Sequence, residues 1–279
     1  MEKTVNSQEN LTILLLGTGG TIAGLGDLTY KAAQLSVAAL VPTSKHRIIS
    51  EQIAQIDSKD MSFDVWEKLH NRISVAQNDP AIHAIVITHG TDTMEETAYF
   101  LHRTLVCSKP VILTGAMRPA DAFDSDGPKN MAFALELAEQ LDAGVWLAFA
   151  GKVFSGNNVQ KAHPTRLDAF EAMADNFVAD GSPVAFHPPI KRWPRVEVVM
   201  SYAGADGAIV DAFIALRVDG IVVVGTGNST IHDALQAKLD KAREAGIAVS
   251  LTTRCVTGST ENKNAIQARI DLILALLRR

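Results

Sequence analysis

The stretch TILLLGTGGTI, residues 12–22, decides the fold of this 279-residue chain. Its first five residues form a nearly continuous apolar run without polar alternation, which is typical of a strand covered on both faces. The glycines that follow predict a tight bend. Thr21 stands directly after that bend, so the pattern places a hydroxyl at the carboxyl end of a buried strand.

Other segments repeat this pattern, and helix-like segments alternate with them. The predicted strands cover residues 12–16, 84–88, 110–114, 145–149, 196–200, 220–224 and 247–251. The predicted helices cover residues 61–76, 93–105, 128–141, 208–215, 230–245 and 263–277. Alternation of this kind predicts an α/β fold with mainly parallel sheets. Thr93 and Glu96 have the spacing of a capping box at the start of the second helix.

A proline-dense stretch at residues 181–194 lacks helical and strand periodicity. We interpret it as a linker between a larger, three-layer N-terminal α/β domain, residues 1–180, and a smaller C-terminal α/β domain, residues 195–279. The alternative interpretation is a long surface loop.

The composition argues against several classes of partner. The net charge is −5 and no basic patch is present, so we expect no nucleic-acid partner. The uncharged stretch at residues 11–26 is too short and too rich in glycine to cross a bilayer, so we expect no membrane partner. Residues 1–10 lack the pattern of a secretory leader. The sequence therefore predicts a cytoplasmic protein, unless a leader has been removed.

The cysteines and histidines argue against a disulfide or metal framework. Cys107 and Cys255 lie far apart beside strand-like runs, so we expect two packed, free thiols. The eight histidines show no metal-ligand spacing, and we predict no metal site. We expect His89 to pack beneath its loop rather than to catalyse.

The glycine bend has alternative interpretations. Gly17 and Gly19 begin a dinucleotide fingerprint, but Ile22 occupies the place of its third glycine, and no acidic residue follows at the expected distance. The Gly-Lys-Ser/Thr ending of a phosphate loop is absent. Taken alone, Thr21 is more often a helix cap than a nucleophile.

A second threonine loop, THGTDTMEET at residues 88–97, favours catalysis. In an open α/β sheet, ligands bind beyond the carboxyl ends of the strands, near the switch in strand order. Thr21, Thr91 and Asp92 all follow such ends, and Lys161 lies in a later loop. A threonine hydroxyl needs a base to take its proton, and a lysine beside a carboxylate can relay it. Taken alone, Asp92 is more simply interpreted as a helix N-cap, and Lys161 as a solvated surface lysine.

Three motifs resemble the signatures of the bacterial-type L-asparaginases, close to the type II asparaginase/glutaminase group. They are GGTIAG at residues 19–24, HGTDTMEET at 89–97 and GAMRP at 115–119. The likeness covers residues 11–161 well, continues more loosely through 202–254 and returns at 268–276. It implies a cofactor-free amidohydrolase that converts asparagine to aspartate and ammonia, with possible glutaminase activity. It also implies a homotetramer built from dimers.

The resemblance implies catalytic roles for five residues. Thr21 would attack the side-chain amide carbon, and Tyr30, within the lid at residues 24–30, would hydrogen-bond the attacking hydroxyl. Thr91, Asp92 and Lys161 would form a second triad. Thr91 would activate the attacking group or water, and its backbone N–H would help to hold the oxyanion.

Substrate contacts are implied as well. The implied substrate-binding residues are Gly20, Ser58, Lys59, Thr91, Asp92, Ala116 and Asn228. Asp92 would bind the substrate ammonium, Ser58 the α-carboxylate, and the Ala116 carbonyl the leaving amide. Lys59 stands where relatives often carry Gln or Glu, so it either weakens substrate binding or points to solvent.

The end of the chain departs from the family. Relatives carry a longer segment before the last helix, with an acidic residue that reaches a neighbouring subunit's site, and Glu261 is the candidate substitute. Two other functions remain open at this point. The chain could bind or sense an amino acid without turnover, or act as a subunit of a larger amidotransferase.

Overall fold

A computed structural model describes residues 10–26, 30–173, 183–255 and 263–279. The chain divides into two compact units, Met1–Ala172 and Met173–Arg279. Each unit has a mainly parallel sheet with helices packed against it, so the predicted α/β class is confirmed.

The first unit alternates strands and helices in chain order. Its elements are β1 (Thr12–Gly19), β2 (Arg47–Ile56), α1 (Phe63–Asn78), β3 (Ala84–Thr88), α2 (Met94–Thr104), β4 (Pro110–Thr114), α3 (Gly127–Leu137), β5 (Gly144–Phe149), β6 (Lys152–Ser155), β7 (Gln160–Lys161) and β8 (Phe170–Glu171). Short 3-10 turns occupy Thr21–Ala23, Val37–Leu40 and Ser58–Asp60.

The strand order of the first sheet is β2-β1-β3-β4-β5-β6. The strands from β2 to β5 are parallel, and β6 is antiparallel to β5. The strand order reverses between β1 and β3, because β1 connects to β2 on one side while β3 lies on the other. The crevice outside the carboxyl ends of strands at such a switch point is the usual ligand site of open α/β sheets.

Burial follows the strand pattern. Ile13 and Leu15 of β1 pack in one core cluster with residues of α3, including Met131 and Ala134. Leu14, between them in the chain, points to the opposite face and is equally buried. Strands covered on both faces explain why the apolar runs of β1, β3 and β4 lack polar alternation.

The second unit contains β9 (Val196–Met200), α4 (Ala208–Ala215), β10 (Gly220–Gly225), α5 (Asp233–Glu244), β11 (Ala248–Thr253) and α6 (Ala265–Leu276). Its parallel sheet has the order β11-β10-β9. Leu235 and Leu239 of α5 pack on Ile221 and Val223 of β10 in the core of this unit. None of the helices in the described part of the chain has the length and hydrophobicity that a membrane-spanning segment requires.

Some expectations about individual elements were wrong. No strand was predicted at β2, because its mixed sequence RIISEQIAQI belongs to a half-exposed edge strand. Helix α5 begins at Asp233 rather than at residue 230, since Thr230 pairs with Thr226 in a turn. The Thr93 side chain does not make the cap hydrogen bond that the capping box predicted, because its hydroxyl donates to the Ser58 carbonyl instead. Cys255 is exposed rather than packed.

Candidate active site

The loops that follow β1 and β3 touch at two glycines. Gly20 has φ 78° and ψ −169°, a conformation that essentially only glycine adopts. A Cβ on Gly20 would clash with the backbone of Gly90, and a Cβ on Gly90 would clash with Ser58 Oγ. These close approaches bring the backbone beside Thr21 against the backbone beside Thr91, at the switch point of the sheet.

Thr21 is paired with Tyr30. The Thr21 Oγ1 and Tyr30 OH atoms lie 2.8 Å apart, and either can donate the hydrogen. Gly24 makes room for this contact, because a Cβ there would lie 2.8 Å from Tyr30 Cε2. Residues 27–29 of the lid lie outside the described residues.

The phenol of Tyr30 stays protonated at neutral pH. Burial raises the pKa of Tyr30, the hydrogen bond to Thr21 lowers it, and the carboxylates of Asp57 and Asp92 raise it further. A neutral phenol is a weak base, so Tyr30 can orient the Thr21 hydroxyl and share a hydrogen with it rather than remove its proton.

Lys161 joins Thr91 and Asp92. The Lys161 ammonium donates to Thr91 Oγ1 at 2.9 Å and to Asp92 Oδ1 at 2.6 Å. The lysine side chain is 14% exposed, whereas the Asp92 side chain is 59% exposed. The carboxylate therefore retains an open face for a cationic ligand group, while the ammonium fixes the orientation of the threonine hydroxyl.

The backbone of Lys161 is held by Glu95, a residue that sequence reasoning did not single out. The Lys161 N–H donates to the Glu95 carboxylate, which projects from the first turn of α2. Burial raises the pKa of Glu95, while the hydrogen bond from Lys161 lowers it. This contact ties β7 to the helix that follows the Thr91 loop. In the sequence, the signal that could have pointed to Glu95 was the pair of adjacent glutamates in HGTDTMEET.

Ser58 lies directly against the second threonine loop. Its Oγ accepts from the Asp92 N–H at 3.2 Å, and its carbonyl accepts from the Thr93 hydroxyl at 2.7 Å. Ser58 is 2% exposed. The Ser58 hydroxyl hydrogen has no acceptor among the described residues, so it can be donated to a ligand carboxylate.

Lys59 points away from this contact. Its ammonium donates to Asp57 Oδ2 at 3.1 Å, and its side chain is 66% exposed. The hydrogen bond to Asp57 raises the pKa of Lys59. Of the two predicted alternatives, the structure has Lys59 in solvent, paired with a carboxylate.

Two polar residues that the sequence analysis missed shape the Ala116 loop. The Asp126 carboxylate accepts from the backbone N–H groups of Met117 and Arg118 at 3.0–3.1 Å. Asn130 donates to the Gly115 carbonyl at 3.0 Å. Ala116 itself is fully buried. In the sequence, the available signal was the presence of two polar residues, Asp126 and Asn130, at the start of an otherwise apolar helix.

His89 packs beneath its loop, as predicted. It is fully buried, and it contacts the Gly90 carbonyl through Nδ1 at 2.7 Å and the Thr97 hydroxyl through Nε2 at 2.9 Å. Burial lowers the pKa of His89 to about 4, although the hydrogen bond to Gly90 opposes this effect. The imidazole is therefore neutral near pH 7.

Two further expected site residues do not belong to the described part of the first unit. Asn228 is exposed in the second unit, in the turn that Thr226 and Thr230 close. Glu261 falls outside the described residues. Within the described ranges, no group of three or more His, Cys, Asp or Glu side chains could hold a metal ion.

Two sequence families cover nearly the whole chain. Residues 12–188 match the family described as asparaginase, N-terminal, and residues 195–276 match the glutaminase/asparaginase C-terminal domain. The chain therefore belongs to the asparaginase family.

Individual relatives agree with this assignment. The chain is 35% identical to a probable periplasmic L-asparaginase of Haemophilus influenzae, over 91% of this chain and 81% of that protein. It is 34% identical to L-asparaginase 2 of Escherichia coli, over 89% and 79% respectively. It is 30% identical to a glutaminase-asparaginase of Pseudomonas fluorescens, over 95% and 82%.

A solved structure has the same fold. The crystal structure of a probable cytoplasmic L-asparaginase from Campylobacter jejuni superposes with a TM-score of 0.84. It is 34% identical in sequence, and the match covers 97% of this chain and 96% of that one.

Proposed function

We propose that this protein hydrolyses the side-chain amide of L-asparagine to give L-aspartate and ammonia. The observation that carries the proposal is the assembly of Lys161 with Thr91 and Asp92, beside a loop that presents the Thr21 hydroxyl to Tyr30. A family of named asparaginases supports the substrate class.

The reaction divides into two acyl transfers. Thr21 Oγ1 attacks the amide carbon, and its proton passes through neighbouring hydroxyl groups toward the leaving nitrogen. The Thr91 N–H stabilises the oxyanion of the tetrahedral intermediate. Ammonia leaves, and water then attacks the ester at Thr21 to release aspartate. In the net reaction, asparagine and water give aspartate and ammonia.

The substrate's charged end is held by the loops around Ser58 and Asp92. The exposed carboxylate of Asp92 binds the α-ammonium, and the Ser58 hydroxyl donates to the α-carboxylate. Gly20 and Ala116 contribute backbone groups. The family resemblance also implies contacts from Lys59 and Asn228, and Lys59 would have to leave Asp57 to make one.

Ammonia release from asparagine by the purified protein tests this proposal. The Thr21→Ala variant should lose at least a thousandfold in kcat, because the nucleophile is gone. Thr18→Ala is the matched control, since the Thr18 hydroxyl is buried and donates to the Thr88 carbonyl. Equal rates for wild type and Thr21→Ala would contradict the assignment.

Glutamine is a second substrate to test. It is longer than asparagine by one methylene, a difference that discriminates by only about 1–3 kcal/mol. A relative from Pseudomonas fluorescens carries the name glutaminase-asparaginase. We propose a side glutaminase activity, which the ratio of kcat/KM for the two substrates measures.

The assembly and the cellular location are further proposals. We infer a homotetramer built from dimers, a cytoplasmic location, and a linker at residues 181–194 between domains at 1–180 and 195–279. The likeness to a probable cytoplasmic enzyme supports the location, although another relative is named periplasmic. A non-catalytic sensor is not favoured, because the chain belongs to the asparaginase family and its relatives are named as asparaginases.

A further inference from the structure

A buried chain of hydrogen bonds runs from helix α1 to the second threonine loop. Trp66 Nε1 donates to Thr97 Oγ1 at 2.9 Å, and Thr97 Oγ1 lies 2.9 Å from His89 Nε2. His89 Nδ1 lies 2.7 Å from the Gly90 carbonyl. Thr97 and His89 are fully buried and Trp66 is 4% exposed, so solvent does not compete for these hydrogen bonds.

The chemistry of the four groups fixes the direction of every hydrogen. The Gly90 carbonyl can only accept, so Nδ1 of His89 carries the proton. The imidazole is neutral, which leaves Nε2 with a lone pair that needs a donor. The Thr97 hydroxyl must supply that hydrogen, and it accepts in turn from the indole of Trp66, which can only donate. All hydrogens therefore point toward Gly90.

The chain of hydrogen bonds ends at the peptide unit that joins Gly90 to Thr91. The carbonyl of Gly90 and the N–H of Thr91 belong to this one planar group. The Thr91 N–H finds no acceptor within the described part of the chain, whereas the carbonyl on the other side is held by His89. A hydrogen bond to a peptide carbonyl polarises the group and strengthens its N–H as a donor.

We propose that Trp66, Thr97 and His89 are positioning residues that align and polarise the Gly90–Thr91 peptide, so that the Thr91 N–H is ready to receive the oxyanion. This inference rests on the proposed function. Gly90 cannot brace the peptide by itself, because it has no side chain and Ser58 and Gly20 leave no room for one.

Removal of the Thr97 hydroxyl breaks the chain of hydrogen bonds at its centre. In Thr97→Val the Nε2 lone pair of His89 loses its donor. The proton stays on Nδ1, because that nitrogen still faces the Gly90 carbonyl. The Nε2 side of the ring is no longer held, so the ring tilts and the hydrogen bond to the Gly90 carbonyl weakens. The Gly90–Thr91 peptide is then less firmly aligned. Thr97→Ser keeps the hydroxyl and loses only a methyl group, so it is the matched control.

The first experiment observes the imidazole without any substrate. Nitrogen NMR of the full-length protein with ¹⁵N-labelled histidine should show His89 neutral, with its proton on Nδ1. The signal is assigned by its loss in His89→Gln. The Nδ1 proton should persist in both variants, and the Nε2 resonance should shift in Thr97→Val and not in Thr97→Ser, because only valine removes its hydrogen-bond donor. A proton on Nε2 in the wild type would overturn the proposal.

The second experiment separates positioning from stability. Thr97→Val should lower kcat about tenfold with KM within about twofold of wild type, as expected for one weakened hydrogen bond in the transition state. Thr97→Ser should retain kcat within about twofold. If the role of Thr97 were purely structural, both variants would lose activity in proportion to the decrease in their melting temperatures. That result would overturn the inference.

The two proposals fail in different ways. If the wild-type protein releases no ammonia from asparagine, the proposed function fails. The NMR experiment still decides the direction of the hydrogen bonds in that case. If the wild type is active and Thr97→Val has an unchanged kcat, the proposed function stands and the positioning role is overturned.

Discussion

At the scale of single residues, the site depends on a lysine that contacts both a hydroxyl and a carboxylate. Lys161 Nζ lies within hydrogen-bonding distance of Thr91 and Asp92, and its own backbone is held by Glu95. A side chain anchored at both ends loses little entropy when it orients a reacting group. The geometry explains how a threonine on one loop can be activated from another.

Lys161→Met should lower kcat about a hundredfold to ten-thousandfold, because proton transfer by a positioned group contributes about that much. The methionine keeps most of the side-chain volume but cannot orient Thr91. The exposed Lys129→Met on α3 is the control and should leave kcat unchanged. Steady-state ammonia release provides the measurement, and equal rates for the two variants would contradict the role of Lys161.

The lowered pKa of His89 predicts how the free energy of unfolding depends on pH. The folded protein lowers the pKa from 6.5 to about 4, so the unfolded chain binds more protons between these values. The free energy of unfolding should therefore fall as the pH falls from 6.5 to 4, by roughly 3 kcal/mol from this residue alone. Below pH 4 this contribution should be gone.

Urea denaturation at several pH values between 4 and 7 measures this dependence. His89→Gln should have a smaller slope than the wild type, because the titrating group is absent. Identical slopes in His89→Gln and wild type would mean that the buried imidazole does not titrate as its surroundings require.

At the scale of elements, the loops after β1 and β3 work as one unit because two glycines let their backbones touch. Gly20→Ala introduces a methyl group where Gly90 leaves no space, at a backbone conformation that alanine avoids. The expected loss is roughly 3 kcal/mol or more of unfolding free energy, together with activity.

Gly151→Ala is the matched control for Gly20→Ala. Gly151 also has a positive φ, of 74°, but a Cβ there would meet no atom within 4 Å. Its expected cost is about 1–2 kcal/mol, which arises from backbone conformation alone. Denaturation midpoints of the two variants give the comparison. A smaller loss in Gly20→Ala than in Gly151→Ala would show that the loops are not tightly packed.

The elements also show where sequence reasoning succeeds. Strands β1, β3 and β4 were predicted because burial on both faces leaves an uninterrupted apolar run. Strand β2 has one open edge and a half-exposed surface, so its polar residues concealed it. That omission matters for the site, because β2 leads directly into Ser58.

Helix ends were less predictable because tertiary contacts compete with local signals. Thr93 has the right spacing for a capping box, yet its hydroxyl serves the Ser58 carbonyl. Local propensity does not record such a partner 35 residues away in the chain. The same reason hides Asp126 and Asn130, whose role depends on the loop that they support.

At the scale of the whole molecule, the fold class and the family were predictable and the assembly remains a prediction. The family motifs name Thr21, Thr91 and Asp92, and the structure brings their loops together through long-range backbone contacts. Glu95 and the chain from Trp66 to His89 required the three-dimensional arrangement, because each acts through a residue distant in sequence.

A homotetramer should have a mass of about 120 kDa, since one chain has a mass of 30.0 kDa. Light scattering coupled to size-exclusion chromatography measures this mass directly. A single species near 30 kDa at concentrations where the enzyme is active would contradict the proposed assembly. A dimer near 60 kDa would retain paired subunits but not the tetramer.

The proposed mechanism requires the Thr21 oxygen to act as the nucleophile that bonds covalently to the substrate. Mass spectrometry of the protein treated with an asparagine analogue that carries an electrophilic diazoketone in place of the amide tests it most directly. We expect one adduct per chain, located on the peptide that contains Thr21 and absent from Thr21→Ala. An adduct on another residue, or undiminished asparagine hydrolysis by Thr21→Ala, would contradict it.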